Sequence, residues 1–519
     1  MLAFSDVVSN TAEFSASIAK FNAETSGEHT ITLSQSIVLT AKLPDINNSS
    51  AVPTLVIDGN ANEIDGDGQF SLFNVRGNSD VTLTDIAVKD SLDSVSITIS
   101  VFESASLTID RAVFEDNGTA NGSPGVLDIG NSATVIVRQS AFLNNSADAF
   151  GGAIENTGSL TVSDSLFDGN TAGSFGGAIY TGSTAGASTT VLRSSFDGNS
   201  ADSGGGAIAS FGDLTVRGST FFNNDSMDIG PSSDVGGGGI LGRGSNTRIY
   251  HSTFSSNTSN SGRGDNILFS GLTVTSSFEM VSSISTDGDC VALAGPTAQS
   301  INNLVEPTTT TTSFQCRLGA ANNAFNANAL LGNYGNRTGS LPVMPPLAGS
   351  PAIDGAVLNG VDVVDQRGRS LLNDTPDIGA VEHIKPDSFE DNDVFTNPSM
   401  LQDAGRFENL SIDDTQSNDE DWYAIELDQG EEMTVDVFFI DAIGDLDISI
   451  HTDDAVPIQL ASAISIDDDE QIVFTAPEDG TFLINVDGFS DARNDYDMSI
   501  SIPSRDQICF PVDSAVICI

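Results

Sequence analysis

The sequence predicts an all-β protein: a right-handed parallel β-helix with an N-terminal helical cap, followed by a small antiparallel β-sandwich. Three observations carry this prediction. Phe-x-x-Asn recurs six times, at Phe114/Asn117, Phe142/Asn145, Phe167/Asn170, Phe196/Asn199, Phe221/Asn224 and Phe254/Asn257, with successive phenylalanines 28, 25, 29, 25 and 33 residues apart. That is the period of stacked units. Gly-Gly-Ala-Ile begins nine residues after the second, third and fourth of these, at Gly151, Gly176 and Gly205, and returns after an insertion as Gly237-Gly238-Gly239-Ile240. Short alternating stretches such as 159–162 and 213–216 precede the phenylalanines and read as strands.

Stacking explains the residue choices. A single coil cannot bury its own apolar side chains and needs neighbours above and below. Phe at a fixed position then builds an interior aromatic column. Asn at the following turn tolerates left-handed backbone and bonds its amide to the adjacent coil. The glycine pair allows positive φ at a corner, after which Ala-Ile turns inward.

The elements follow in order. Residues 1–27 predict a cap: Asn10-x-x-Glu13 is a capping-box pattern, and Phe14, Ile18 and Phe21 share one helical face. Such a helix covers the open end of the stack, whose bare edge would otherwise invite aggregation. The β-helix runs over 28–340, opening with strands at 30–33, 37–40 and 55–60 and continuing through 81–88 and 107–114. Residues 306–313 read as a loop or exposed edge, and a closing segment spans 341–385. From Pro386 to Ile502 the glycine pairs vanish, and 31 acidic residues face only Arg406 and Arg493. Six alternating stretches there (422–427, 433–439, 446–450, 471–474, 481–486 and 498–502) predict the sandwich. Residues 503–519 form a tail.

Composition narrows the function. The 519 residues carry 72 acidic and 19 basic side chains, a net charge of −53. Such a field repels nucleic acid and anionic lipid, and suits a salty or cation-rich extracellular setting. No apolar run is long enough to cross a membrane. The first residues lack a signal-peptide pattern, so the expectation is a trimmed chain whose export signal lies outside this sequence. Four cysteines allow three pairings, and proximity favours Cys290–Cys316 and Cys509–Cys518. Local disulfides fit an oxidising compartment.

The alternation of Gly-Gly-Ala-Ile with Phe-x-x-Asn over residues 105–260 resembles the repeats of polymorphic outer-membrane proteins. Ser350-Pro351-Ala352-Ile353-Asp354-Gly355, Asp365-Gln366-Arg367-Gly368-Arg369 and Asp377-Ile378-Gly379-Ala380-Val381-Glu382 resemble the choice-of-anchor Q domain that closes β-helices in bacterial surface proteins. There Asp354 and Asp365 are expected to pair with the Arg367 fork, and Asp377 to bond turn amides, locking the last coil. The sandwich resembles the bacterial pre-peptidase C-terminal domain. Its matching motifs are Asp387–Asp393, Asp419-Glu420-Asp421-Trp422-Tyr423 and the Pro477–Ile484 stretch. That resemblance implies an accessory role and, in some members, binding of Ca²⁺ or a matrix polymer.

Candidate chemistry is sparse. Hard cations need several oxygens together, and Asp387, Glu390, Asp391, Asp393, Asp419 and Asp421 are the Ca²⁺ candidates, against a plain solvated acidic face. No His lies in a nucleophile–base or zinc pattern. The nearest approach to a catalytic group is Asp65 and Asp67, with Asp58, near Arg76, though 58–68 is also ordinary turn sequence. Arg111, Arg138, Arg193 and Arg217 fall three or four residues before a repeat Phe, with Tyr250 and His251 in the matching place. Stacked, they form a loose ladder that either grips acidic polysaccharide or pairs with Asp110 and Asp164. Arg263-Gly264-Asp265 is an integrin-type tripeptide of chance frequency. The reading is a non-catalytic secreted or cell-surface protein of a bacterium, an adhesin for extracellular glycans or cells. The alternative is a polysaccharide lyase or glycoside hydrolase with the sandwich as accessory module.

Overall fold

The computed structural model describes residues 3–518 apart from 49, 51–52, 92–96, 120–124, 229–234, 245, 271–275, 293–296, 306–322, 326–327, 336–340, 348, 358–363, 370, 372–374, 385–386, 413–418, 440–444, 466–468, 490–493, 504–508 and 513–514. The chain divides into two compact units, the first holding 1–329, 350–366 and 370–381, the second 330–349, 367–369 and 382–519.

The first unit is a parallel β-solenoid. One coil, residues 134–156, has four faces: Thr134–Arg138, Ala141–Leu143, Ser146–Ala147 and Ile154–Asn156. Each strand pairs in parallel with its counterpart in the next coil, as Phe142 does with Phe167 and Ile154 with Ile179. Among the described residues the fourth face stacks nine strands. The phenylalanine column forms as the repeats predict: six fully buried rings from Phe114 to Phe254 lie with centroids 4.7–5.0 Å apart and planes within 14°. Such contacts add about 0.5–1.5 kcal/mol per pair beyond the area they bury.

Two polar ladders flank the column. Asn117, Asn145, Asn170, Asn199, Asn224 and Asn257 each donate from Nδ2 to the Oδ1 of the next residue in line, at 2.8–3.1 Å, down to Asn266. From Asn145 onward the same amides also donate to the carbonyl of the preceding coil's Phe, as Asn170 does to Phe142 at 2.9 Å, while Asn117 donates to the Val88 carbonyl. A second ladder was not foreseen. Ser140, Ser165, Ser194, Ser219 and Ser252 sit two residues before Phe142, Phe167, Phe196, Phe221 and Phe254, and each hydroxyl accepts from the backbone N–H of the coil before at 3.1–3.3 Å. Its signal, a serine at constant offset from Phe, was present in the sequence. At the glycine corner, Gly151 has φ 61°. A Cβ on Gly152 would lie 2.1 Å from the carbonyl oxygen of Gly177, so the coils approach backbone to backbone there.

The cap differs from expectation in one respect. The helix Thr11–Asn22 forms, with Asn10 Oδ1 accepting from the N–H groups of Ala12 and Glu13 at 3.1 and 3.0 Å. Glu13 reaches back to the N–H of Ser9 rather than of Asn10. Phe14, Ile18 and Phe21 are buried. A strand, Ala3–Val8, precedes the helix and pairs with Glu28–Leu33, so the stack begins before the cap. Alternation too short to stand out beside a helix signature hid it.

The closing segment also departs from expectation. Residues 350–381 do not simply lock a last coil: part of the segment lies along the second face of several coils. Gln366 donates to Ser195 Oγ at 2.8 Å and accepts from Thr220 Oγ1 at 2.6 Å, and the Ala380 N–H donates to Thr253 Oγ1 at 3.0 Å. The outward residues Ser195, Thr220 and Thr253 are consequently buried, while Ala141 and Leu166 at the same position in earlier coils are half exposed. Asp377 accepts from the Asp354 N–H at 2.7 Å, as expected of a turn clamp. In the second unit Arg367 donates to the Glu382 carbonyl and Arg369 to Asp495.

Among the described residues of the second unit are two larger sheets, antiparallel except that Ser399–Met400 pairs in parallel with Glu420–Leu427. One orders Ser399–Met400, Glu420–Leu427, Gly480–Gly488, Leu446–Thr452 and Gln459–Ala463; the other orders Gly405–Ile412, Asn494–Ser501, Glu432–Phe438 and Glu470–Thr475. All six anticipated strands are present, and three were missed. Their inward residues, among them Tyr423, Val435, Ile448 and Ile484, form one core. No helix among the described residues is long and apolar enough to cross a membrane. Cys509 and Cys518 are directly opposed on a short two-stranded ladder. Cys290 is buried and disulfide-bonded, while Cys316 and residues 306–313 lie outside the described residues.

Candidate functional sites

The sandwich gathers most of the anticipated metal residues. Oxygens of Asp387, Glu390 and Asp421 lie mutually within 4.8 Å, as do those of Glu390, Asp393 and Asp419. Asp421 lies in the strand Glu420–Leu427 and Asp419 immediately precedes it, while Asp387–Asp393 is a loop whose Asp387 caps the N–H groups of Phe389 and Ser411. Asp391 is exposed and belongs to neither group. Asp421 Oδ2 accepts from the Tyr496 hydroxyl, itself 2.8 Å from that of Tyr423. Glu390 Oε1, Asn392 Oδ1 and Asp421 Oδ1 are buried oxygens that accept no hydrogen bond among the described residues. Burial and the charge of Asp421 push Glu390 up to about 9, and burial holds Asp421 well above the usual carboxylate range. Unsatisfied carboxylate oxygens converging at one point form a donor set of the kind a hard cation takes.

The arginines form two adjacent rows rather than one ladder. Arg111 and Arg193 occupy the left-handed bend between the first two faces, at φ 47° and 44°, whereas Arg138 and Arg217 sit one residue earlier, on the strand. Arg111 binds Asp85 and Asp110, Arg138 binds Asp110, and Arg193 binds Asp164, all at 2.7–3.0 Å. The Arg217 guanidinium stacks 4.0 Å from the Tyr250 ring, and the Tyr250 hydroxyl donates to Glu279. The pairing with Asp110 and Asp164 is therefore what these side chains do, and their forks are spent on neighbours. A cavity of about 150 Å³ lies over the same bend, lined in part by Arg217, His251 and Asp365.

Asp58, Asp65, Asp67 and Arg76 do not converge. Asp58 and Asp65 each accept a backbone N–H two residues on, at 2.7 Å, and Asp67 accepts from Gln69. Arg76 pairs with Asp45 and stacks on Phe102. Asp265 accepts from the Ser259 N–H and is half-buried, while Gly264, at φ 62°, supplies a glycine corner. The tripeptide is part of the coil.

What the sequence reading missed lies on the fourth face. Its inward residues Leu127, Ile129, Ile154, Asn156, Ile179 and Thr181 are buried, so by alternation the residues between them point outward. Register makes Asp128, Glu155 and Tyr180 direct neighbours on successive coils. One wall beside them is the bridged row Phe150, Phe175 and Gly204. The other is a backbone ladder running Phe102, Gly130, Thr157, Gly182, Phe211, small in the middle and bulky at both ends. The Phe150 ring stacks 4.6 Å from Tyr180, and Phe211 lies 5.4 Å from Phe175 and 5.5 Å from Tyr180. The result is a partly exposed aromatic shelf, Phe175, Tyr180 and Phe211 packing on buried Ala209, Leu241 and Leu268, with two carboxylates beside it. Burial raises Asp128 to about 6, and burial together with the Asp128 charge raises Glu155 to about 7. The signal in the sequence was the residue following each Ala-Ile, or Leu127 in the earlier coil.

Comparison with known proteins agrees with this architecture. Residues 71–254 match the right handed beta helix region family. Residues 419–488 match the bacterial pre-peptidase C-terminal domain, so Asp387, Glu390 and Asp393 precede the matched stretch. No curated protein matches the chain. Among solved structures, the pre-peptidase C-terminal domain of a Bacillus anthracis collagenase is 13% identical, covering 20% of this chain and 94% of its own, with TM-score 0.18. A pectate lyase from Bacillus sp. N165, solved with trigalacturonate, is 13% identical over 60% of this chain and 85% of its own, with TM-score 0.29. Tailspike protein 4 of bacteriophage CBA120 is 9% identical over 95% of this chain and 66% of its own, with TM-score 0.22. At such identities and scores the likeness says nothing of substrate or activity.

Proposed function

We propose that this is an extracellular bacterial protein that holds a glycan chain on the fourth-face aromatic shelf of its β-helix, with the pre-peptidase C-terminal domain as a Ca²⁺-binding accessory module. The observation that carries the reading is the shelf of Phe150, Phe175, Tyr180 and Phe211 beside Asp128 and Glu155. Apolar ring faces with a few placed polar groups are the usual make-up of a ligand site. The ligand is a neutral rather than an acidic polysaccharide. The polar groups beside the shelf are acidic, the net charge is −53, and Arg111, Arg138 and Arg193 are already paired with aspartates. The Phe-x-x-Asn and Gly-Gly-Ala-Ile alternation supports kinship with polymorphic outer-membrane proteins, and the 350–382 motifs support a choice-of-anchor Q relationship, both consistent with display at a cell surface.

For the accessory module, the orphaned oxygens of Glu390, Asn392 and Asp421 fit a hard cation. Asp387, Glu390, Asp393, Asp419 and Asp421 would hold it, and the ion would neutralise their mutual repulsion.

Affinity electrophoresis in gels containing soluble xylan, mixed-linkage glucan, galactomannan or polygalacturonate tests the shelf. Retardation by at least one neutral polymer, weakened at least tenfold in the double variant Phe150→Ala, Tyr180→Ala, is expected. Retardation by polygalacturonate alone, or unchanged retardation in the double variant, would discard the reading.

A further inference from the structure

We infer that Asp128 and Glu155 are a catalytic pair that cleaves the glycosidic bonds of a neutral polysaccharide lying on this shelf with retention of anomeric configuration. The inference rests on the glycan-binding reading above and adds chemistry to it.

Geometry is the first support. The two carboxylates stand on directly paired residues of adjacent parallel strands, whose spacing is about 4.8 Å. Retaining glycosidases place their two carboxyls about 5–5.5 Å apart, whereas inverting ones leave room for an extra water. Availability is the second. Other acidic groups of the β-helix are committed, Asp85, Asp110 and Asp164 to arginines and Asp58 and Asp65 to turn amides, while Asp168 and Asp197, likewise paired on adjacent strands, lie on the second face, away from the aromatic shelf. Asp128 and Glu155 have no hydrogen-bond or ion-pair partner among the described residues, and both are half-buried.

The protonation states suit the division of labour. With values of about 6 for Asp128 and about 7 for Glu155, the pair holds close to one proton near pH 6.5, resting more on Glu155. The neighbouring ionisable group is Tyr180, itself raised by burial and by Glu155, and the Arg243 guanidinium lies over the Phe211 ring at one end of the shelf. In the first step the Glu155 carboxyl gives its proton to the glycosidic oxygen as Asp128 attacks the anomeric carbon. The bond to the leaving sugar breaks, and its electron pair stays with that oxygen. In the second step Glu155 takes a proton from water, whose oxygen attacks the anomeric carbon. The ester bond to Asp128 breaks, and its electron pair returns to the carboxylate. One water is consumed, and both groups end as they began.

The test uses the full chain with Glu155→Gln and Asp128→Asn, each nearly isosteric, on whichever neutral polymer retards the protein. Reducing ends released by the native chain, with turnover at least a thousandfold lower in both variants while retardation persists, is the expected result. Proton NMR of the first-formed product should give the substrate's own anomer, and a 2-deoxy-2-fluoro glycoside should leave a covalent adduct on the peptide holding Asp128. Retardation without reducing ends anywhere between pH 5 and 8 would overturn the catalytic pair and leave glycan binding standing. Product of inverted configuration, or turnover surviving both substitutions, would overturn it too. Absence of retardation by any neutral polymer would remove the reading beneath it.

Discussion

The β-helix and the sandwich treat buried polar groups in opposite ways. In the helix they are dealt out one per coil and satisfied by their own kind. Asn170 donates to Asn199 and accepts from Asn145, and Ser165 accepts from the Ser140 N–H and donates to the Ser163 carbonyl. In the sandwich, carboxylates are concentrated at one corner, where oxygens of Glu390 and Asp421 accept nothing among the described residues. A row of identical groups with complementary donors and acceptors closes its own account, whereas a cluster of like charges calls for something from outside. Periodic polar residues are thus read as scaffold, and aperiodic ones as candidates for function.

The contrast can be broken or sharpened experimentally. The largest effect belongs to the coil corner. Gly152→Ala puts a Cβ about where the Gly177 carbonyl oxygen lies. It should cost more than about 4 kcal/mol in urea unfolding, or prevent soluble expression. Next, Asn170→Ala removes the Nδ2 donation to the Phe142 carbonyl and the oxygen that accepts from both the backbone N–H and the Nδ2 of Asn145, whose Nδ2 keeps only the Phe114 carbonyl. Each orphaned group costs about 1–3 kcal/mol, so a loss near 4 kcal/mol is expected, and one under 1 kcal/mol would mean the ladder is ornamental.

The sandwich corner should respond to ions and protons instead. Without a cation, Glu390 at about 9 binds a proton that its unfolded counterpart, near 4.5, has released. Between those values the folded state holds more protons, so stability falls as pH rises from about 4.5 to 9. Millimolar Ca²⁺ should flatten that slope, raise the melting temperature of the sandwich by several degrees and release protons, seen as a buffer-dependent heat of binding. Asp421→Asn should abolish the Ca²⁺ response while leaving the ion-free domain as stable or more so. Equal pH slopes with and without Ca²⁺ would refute the site. The smallest effect is expected of Arg138→Ala: its bond to Asp110 is made by a side chain 53% exposed, and less than about 1 kcal/mol should be lost.

The same contrast explains what could be read in advance. Phe, Asn and the glycine pair recur at one position per coil, so their places in the core and at the corners were legible before any coordinates. The serine ladder was equally periodic and was overlooked beside the larger Phe. The fourth-face residues change from coil to coil (Asp128, Glu155, Tyr180, then Ala209) and do not stand out by repetition. Finding them required the register, which tells which unlike residues become neighbours. The run of residues 350–381 across the second face was hidden because those contacts join positions more than a hundred residues apart, such as Thr220 and Gln366. The acid corner was partly visible, because Asp387–Asp393 and Asp419–Asp421 are dense in carboxylates. Only the fold could separate Asp391, which faces solvent, from the rest.

The Asn ladder carries a consequence for how such a chain can change. Since each amide meets only its equivalents above and below, removing or duplicating a whole turn of the Asn170–Asn199 kind returns like against like and leaves every rung intact. Length is therefore a freely variable trait of this architecture, open to unequal recombination between turns. The carboxylate pair has no such freedom. A turn inserted between Asp128 and Glu155 would separate them by one more strand, so lineages that keep the pair should vary in turn number everywhere except there.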